Sequence, residues 1–349
     1  MLNVLHIGSY DINIGDNIAL YNVRMAFESR LGTINWHKKN FNSSCFNSEK
    51  KASDFFHKGD WDFIVVGGGG LLEPDSSFSC CKIPFTESIF NNIKCPTFFI
   101  SLGVNLFWGG RRTMTGVFKD ALNIISDRAT YFSLRCDGSY EKVESFLRGN
   151  VEILPDSGFI FAEEPKTERD SLEFVFQMAY NASPSINKSR FPNRSLSLIE
   201  EFLSFYKLSI LPHTPKDLYN SGNKYIIGED EILDFCDFDN IVSSVSVYKR
   251  LHSAFVMRGH GQILSVALGV PSVSIGSQPK VNNFCENNGF ENYLLKTTEE
   301  NFYERMCGFY KKITTDSKYR NDWFSIRNCF MEKSTARFRL AIDECVNML

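Results

Sequence analysis

The tripeptide Arg258-Gly259-His260 joins three residue types suited to work on an anion. Arg presents a planar, permanently charged fork that matches a carboxylate or a phosphate. Gly lets a ligand come close to the backbone, and His exchanges a proton near neutral pH. The stretch from Ser253 to Pro271 reads as strand, three-residue junction, helix, glycine stop and next strand. In an open parallel sheet such a junction lies at the carboxyl end of a strand, where ligands bind, and the helix behind it offers unpaired N–H groups and a positive dipole end. The same residues also suit an ordinary helix cap and ion pair, and the triplet alone does not choose between the two.

Two other stretches allow close approach of a ligand. One is Asn13-Ile14-Gly15-Asp16-Asn17, and the other is the loop Gly67-Gly68-Gly69-Gly70 with Leu71 and Leu72. Each is equally explained as turn chemistry at the end of a strand or the start of a helix. Asp16, Asp156 and Asp217 are carboxylates in loops from which a hydroxyl proton can be taken, and the residues do not rank them.

The elements that must hold these residues alternate between short β-branched or aromatic runs and helix-like segments, the pattern of βα units around a parallel sheet. Strands are expected at Val4 to Ile7, Phe63 to Val66, Thr97 to Ser101, Tyr131 to Leu134 and Val151 to Leu154, most of them ending in a polar or Gly-rich loop. Asp16 reads as the N-cap of a helix whose apolar spacing runs from Ile18 to Arg30. Glu163 to Asp170 is charged, contains Pro165 and breaks the apolar rhythm, which makes it the expected linker. A second series follows, with strands expected at Leu172 to Met178, Leu208 to Leu211, Tyr225 to Ile227, Ala254 to Met257 and Ser272 to Ile275. From Thr298 onward the chain reads as two helices, the last over roughly Trp323 to Met348 and placed to fold back on the first half. The expectation is therefore an α/β protein with parallel sheets flanked by helices, one domain over residues 1–162 and a second over 171–349.

Composition narrows the function classes. A chain of 349 residues exceeds the usual size of one core. A net charge of −3 and the lack of a basic block argue against nucleic acid as a partner. No apolar run approaches the ~18 residues of a membrane span, and the amino end lacks the pattern of a signal peptide, so no transmembrane segment is expected and the protein is placed in the cytoplasm. The 10 cysteines are scattered, and Cys80-Cys81 lacks a metal-site spacer, so they read as reduced thiols and no metal is expected.

Taken in order, Gly15-Asp16, Asp62 to Leu72, Arg135 with Ser139, Pro155-Asp156, Pro212-His213, Arg258-Gly259-His260 and Gly269-Val270-Pro271 form a series. Over roughly residues 5 to 295 this series resembles the polysaccharide pyruvyltransferase family. The resemblance implies a GT-B-like architecture, two Rossmann-like domains facing across a cleft. It also implies transfer of the enolpyruvyl unit of phosphoenolpyruvate onto two hydroxyls of a sugar, giving a cyclic ketal and free phosphate. The donor is phosphoenolpyruvate and no separate cofactor is implied. The acceptor is a sugar, a saccharide-lipid or a polysaccharide repeat, and the setting is cell-surface polysaccharide or glycolipid synthesis, free in the cytoplasm or at the inner face of the membrane.

The resemblance makes His260 the proton donor and Arg258 its catalytic partner, with Arg135 a second ligand for the donor's anionic groups. Gly15, Asp16, Gly68, Gly69, Gly70, His213 and Lys280 become substrate-binding candidates, Lys280 because the family often carries Lys there. Two departures stand out. Gly259 replaces an apolar residue of the family's Arg-Leu-His triplet, and Cys136 follows Arg135 where an acid is usual, displacing the acid to Asp137, a candidate helix cap. The literal triplet Arg250-Leu251-His252 precedes the expected strand, so context selects Arg258 and His260 instead. Two further readings stay open: a GT-B-like glycosyltransferase using a nucleotide sugar, and a non-catalytic ligand-binding relative.

Overall fold

The computed structural model describes residues 1–74, 79–81, 83–105, 114–160, 173–179, 188, 190–218 and 224–349. Strands β1 (Leu2–Gly8), β2 (Ile34–Asn40), β3 (Phe63–Gly67), β4 (Thr97–Leu102), β5 (Tyr131–Arg135) and β6 (Glu152–Leu154) form one sheet in the order β2-β1-β3-β4-β5-β6. Strands β7 (Phe174–Gln177), β8 (Ser209–Ile210), β9 (Ser253–Val256), β10 (Ser272–Gly276) and β11 (Leu294–Lys296) form a second in the order β11-β10-β9-β7-β8. Every pairing in both sheets is parallel. The charged segment 163–170 and the boundaries at 162 and 171 lie outside the described residues.

The continuous apolar runs become strands buried on both faces, because helices cover the two sides of each parallel sheet. Side-chain alternation sorts them. In the first sheet Leu5, Ile7, Ile64 and Val66 join one core, while Val4, Phe63, Val65 and Phe98 join another with Val23 and Phe27 of the first helix, Ile14–Leu31.

Several expectations are corrected. The first helix starts at Ile14, and its N-cap is Asn13, whose side chain accepts from Gly15 N. Asp16 therefore lies inside the first turn. Tyr225 to Ile227 is no strand: Tyr225 makes one bridge to Ile210, because β8 is two residues long and offers no ladder to extend. β2 and β11 were not foreseen, since β2 is a half-exposed edge rich in polar residues and β11 has three residues. No helix follows Asp137, whose carboxylate instead accepts from Ser139 N at 3.1 Å within a run of turns.

The last helix, Ser317–Asn347, begins six residues before the expected Trp323. Its 31 residues span about 46 Å, enough to cross both sheets. Its first half packs Trp323, Phe330 and Met331 against Phe159 and Phe284. Its second half places Phe338, Ala341, Ile342 and Cys345 on the core of the first sheet. Among the described residues no helix is long and apolar enough to cross a membrane.

Candidate active site

Both sheets bring their switch points to one place. In the first sheet the strand order turns at β1 and β3, and in the second at β7 and β9. Loops that leave neighbouring strands in opposite directions part there and open a crevice at the carboxyl ends. Asp16 follows β1, Gly70 follows β3, Arg135 ends β5 and Asp156 follows β6. Across from them Gln177 ends β7, Asp217 follows β8, Arg258 and His260 follow β9, and Lys280 follows β10.

Arg258 is the N-cap residue of the helix Gly259–Ala267. Its backbone N–H donates to Gln177 Oε1 at 2.8 Å, which ties β9 to β7 at the switch point. Its guanidinium grips Asp217 with two bonds, Nε to Oδ2 at 3.0 Å and Nη2 to Oδ1 at 2.5 Å. Asp217 is fully buried and also accepts from His213 N at 3.0 Å. This carboxylate is thus committed to aiming Arg258.

Arg135 is buried and pairs through Nη1 with Asp156 Oδ2 at 2.6 Å. Its Nε donates to the carbonyl of Ser101 at 3.1 Å. That carbonyl is aimed by an unusual backbone: Ser101 sits at φ 53, where the β4–β5 register shifts between Phe99 and Leu102. A left-handed serine inside a strand persists only when its surroundings hold it, here a bond from its hydroxyl to Pro155 O at 2.5 Å.

His260 lies between two carboxylates, with Nδ1 3.6 Å from Asp16 Oδ1 and Nε2 3.8 Å from Asp156 Oδ2. Burial first, then Arg135, Lys280 and Arg258, hold its pKa well below the usual value. The ring is therefore neutral in the free protein at neutral pH. Burial raises Asp16 to about 6 against the opposing pull of Arg135 and Lys280. Burial and Arg135 lower Lys280 to about 8.

Gly15 explains itself at this point. A Cβ there would overlap the His260 ring, so only glycine lets the first helix and the imidazole meet. At Gly259 a Cβ would stand 3.3 Å from Lys280 Cε, so a larger residue would press the lysine stem. Gly70 lines the crevice, and the space above Gly69 borders Asp16 Oδ1 at 3.5 Å. Gly68, at φ +86, packs on Leu20 and serves the turn.

A family model for polysaccharide pyruvyl transferase matches residues 13–279. The chain belongs to the polysaccharide pyruvyl transferase family. The matched span holds Asp16, Arg135, Asp156, Asp217, Arg258 and His260, and it stops one residue before Lys280. No curated protein matches the chain in sequence. Among solved structures, the S. aureus MnaA–UDP co-structure is similar at TM-score 0.53 and 11% identity, covering 92% of this chain and 90% of that one. A putative UDP-N-acetylglucosamine 2-epimerase from Listeria monocytogenes is similar at TM-score 0.52 and 10% identity, with 91% of each chain covered. At such identities the likeness concerns the fold, which is GT-B-like: two parallel sheets flanked by helices.

In this pyruvyl transferase family member a polar cavity of about 190 Å³ is lined by Asp16, Gly70, Arg190, Arg258, His260 and Lys280, together with Asn13, Asn105, Gly259 and Gln278. A second cavity, of about 20 Å³, lies on the other side of His260. A roomier one of about 380 Å³, between the first and last helices, is walled by Met25, Ile160, Phe338 and Ile342 and lacks convergent acid–base groups. Chemistry, rather than size, selects the polar cavity.

Arg190 was not foreseen from the sequence. It is buried, donates to Ala179 O at 3.0 Å, and is lowered to about 10 by burial and by Arg258. Its stretch of sequence carries no glycine motif and no expected strand, so only the fold reveals it. His213, by contrast, is fully buried one layer behind Asp217, with its ring bonded to Tyr248. Its main chain contributes more than its ring, since His213 O accepts from Ile14 N at 3.2 Å across the two sheets. Arg250 and His252 lie at the amino end of β9, and His252 Nδ1 meets Ser253 Oγ at 2.9 Å.

Proposed function

We propose that this protein transfers the enolpyruvyl unit of phosphoenolpyruvate to two hydroxyls of a sugar, as a cytoplasmic step in making a cell-surface polysaccharide or glycolipid. The observation that carries this reading is the meeting of Arg190, Arg258 and Lys280 with His260 and Asp16 around one polar cavity. Phosphoenolpyruvate brings a phosphate and a carboxylate on a small skeleton, and Arg forks and a Lys point charge suit those groups.

The reaction needs two proton movements. As the first hydroxyl adds to C2 of the donor, the methylene carbon C3 takes a proton and becomes a methyl group. The second hydroxyl then displaces phosphate from C2, and its proton leaves with the phosphate. His260 is the proton donor to C3. Asp16 takes the hydroxyl proton, because Asp156 and Asp217 each hold an Arg, whereas Asp16 is held by the neutral Asn13 amide at 2.8 Å. A pKa of about 6 suits a base working near neutral pH. The incoming anion offsets the three cations that keep His260 neutral, so donor binding itself favours the charged, proton-giving imidazolium.

Thermal shift tests the donor. Millimolar phosphoenolpyruvate should raise Tm, since a ligand of the native state stabilises it by mass action. A panel of nucleotide sugars, with UDP, the ligand named for the first fold neighbour, should not. The reverse pattern would favour a nucleotide-sugar enzyme.

A further inference from the structure

The geometry points to a single water molecule held between Arg135, Asp156 and His260, whose orientation keeps the proton of neutral His260 on Nδ1, the side facing the polar cavity. The small cavity beside His260 measures about 20 Å³, and one water needs about 10–15 Å³. On its lining residues Arg135 Nη2 and His260 Nε2 are buried without a hydrogen-bond partner among the described residues, and Asp156 Oδ2 has only its ion-pair contact with Arg135 Nη1. They come from the ends of β5, β6 and β9, so three separate elements converge on one space.

Counting donors and acceptors fixes the orientation. Arg135 Nη2 can only donate, so the water accepts from it. Asp156 Oδ1 already accepts from Gly158 N at 2.8 Å, while Oδ2 faces Arg135 Nη1 at 2.6 Å and takes one hydrogen of the water. The other hydrogen goes to the partnerless His260 Nε2: Phe159, Ile263 and Phe284 give the wall hydrocarbon, and of its other polar residues Asp137 accepts from Ser139, Gln262 donates to Ser274 and Lys280 can only donate. About three hydrogen bonds is the usual complement of a buried water. Nε2 is then an acceptor and Nδ1 carries the proton.

The charges agree. Asp16, on the Nδ1 side, has the Asn13 amide as its near partner, while Asp156, on the Nε2 side, is neutralised by Arg135. The Nδ1 proton therefore faces a carboxylate whose direct hydrogen-bond partner is a neutral amide rather than a guanidinium. In the proposed transfer, on which only this consequence rests, donor binding draws a proton from solvent through the water to Nε2, the imidazolium gives its Nδ1 proton to C3, and His260 is left neutral with its proton on Nε2.

The test is ¹⁵N NMR of the full-length free protein labelled at its six histidines, with His260 assigned by its loss in His260→Gln. At pH 7 the result expected is a pyrrole-type Nδ1 and a pyridine-type Nε2. A pyridine-type Nδ1, or an imidazolium, would overturn the inference. In Asp156→Asn the remaining five histidines report the fold, and His260 should shift to a mixture of tautomers; an unchanged Nδ1–H form there would also count against it. A crystal structure with no water near the three atoms would do the same. None of these readouts involves phosphoenolpyruvate, so the water can stand if the transfer reading fails.

Discussion

At the scale of single residues, Asp217 and Asp156 spend their charge on Arg258 and Arg135, and in the proposed transfer Asp16 and His260 carry the proton chemistry. Asp16 carries a stability signature as well. Its native pKa, raised from 3.8 to about 6, means that the folded state keeps a proton the unfolded chain releases between those values. The stabilisation is full below that window and is lost as pH rises through it, by at most roughly 3 kcal/mol. Asp16→Asn should flatten this fall in urea unfolding measured from pH 4 to 7, while abolishing turnover; an unchanged slope would show that Asp16 titrates normally. Arg190→Ala should raise KM for phosphoenolpyruvate by about tenfold or more, the loss expected of one charge-assisted contact, with a smaller change in kcat. Gly15→Ala forces a methyl into the His260 ring. Overpacking of this kind costs about 1–3 kcal/mol, so the variant should melt a few degrees lower, and the displaced ring should also lower kcat.

At the scale of elements, the strands are what position these side chains, and they differ in how legible they were. β3 and β4 are largely apolar runs buried on both faces, and such runs announce themselves, while β1 and β10 interleave His6 or serines with apolar residues. β2 carries Ile34 and Trp36 among polar residues on a half-exposed edge, and its identity comes from pairing with β1 from Leu2 to Gly8, a tertiary fact. Arg258 and His260 were legible because strand, junction and helix follow one another in the chain. Arg190 and Gln177 were not, because their parts in the site depend on the second sheet already being assembled. The helix Gly259–Ala267, whose amino end faces the site, is closed at its other end by Arg327, which donates to Val266 O at 2.9 Å and to Ala267 O at 2.8 Å. Arg327→Ala leaves buried carbonyls with lost partners and should cost about 2–4 kcal/mol in chemical denaturation; a change below 0.5 kcal/mol, roughly the size of a surface substitution, would show that the cap is dispensable.

At the scale of the whole molecule, two parallel sheets place their switch points against each other, so that one histidine meets carboxylates from the first half while standing at the start of a helix of the second. Main-chain and side-chain bonds stitch that meeting: Ile14 N to His213 O, and Asn17 Nδ2 to Cys236 O at 2.6 Å. The long last helix packs on both cores. The order of motifs along the chain implied this arrangement through a family resemblance, whereas composition and spacing alone reached only as far as parallel sheets. The account stands most directly on phosphate release from phosphoenolpyruvate in the presence of a sugar acceptor. Wild-type protein should release phosphate only when the acceptor is supplied, and His260→Ala should fall by about 10²–10⁴-fold, the usual worth of a positioned proton donor. His252→Ala should keep full activity. Acceptor-dependent release that survives His260→Ala but disappears in His252→Ala would contradict the placement of the site.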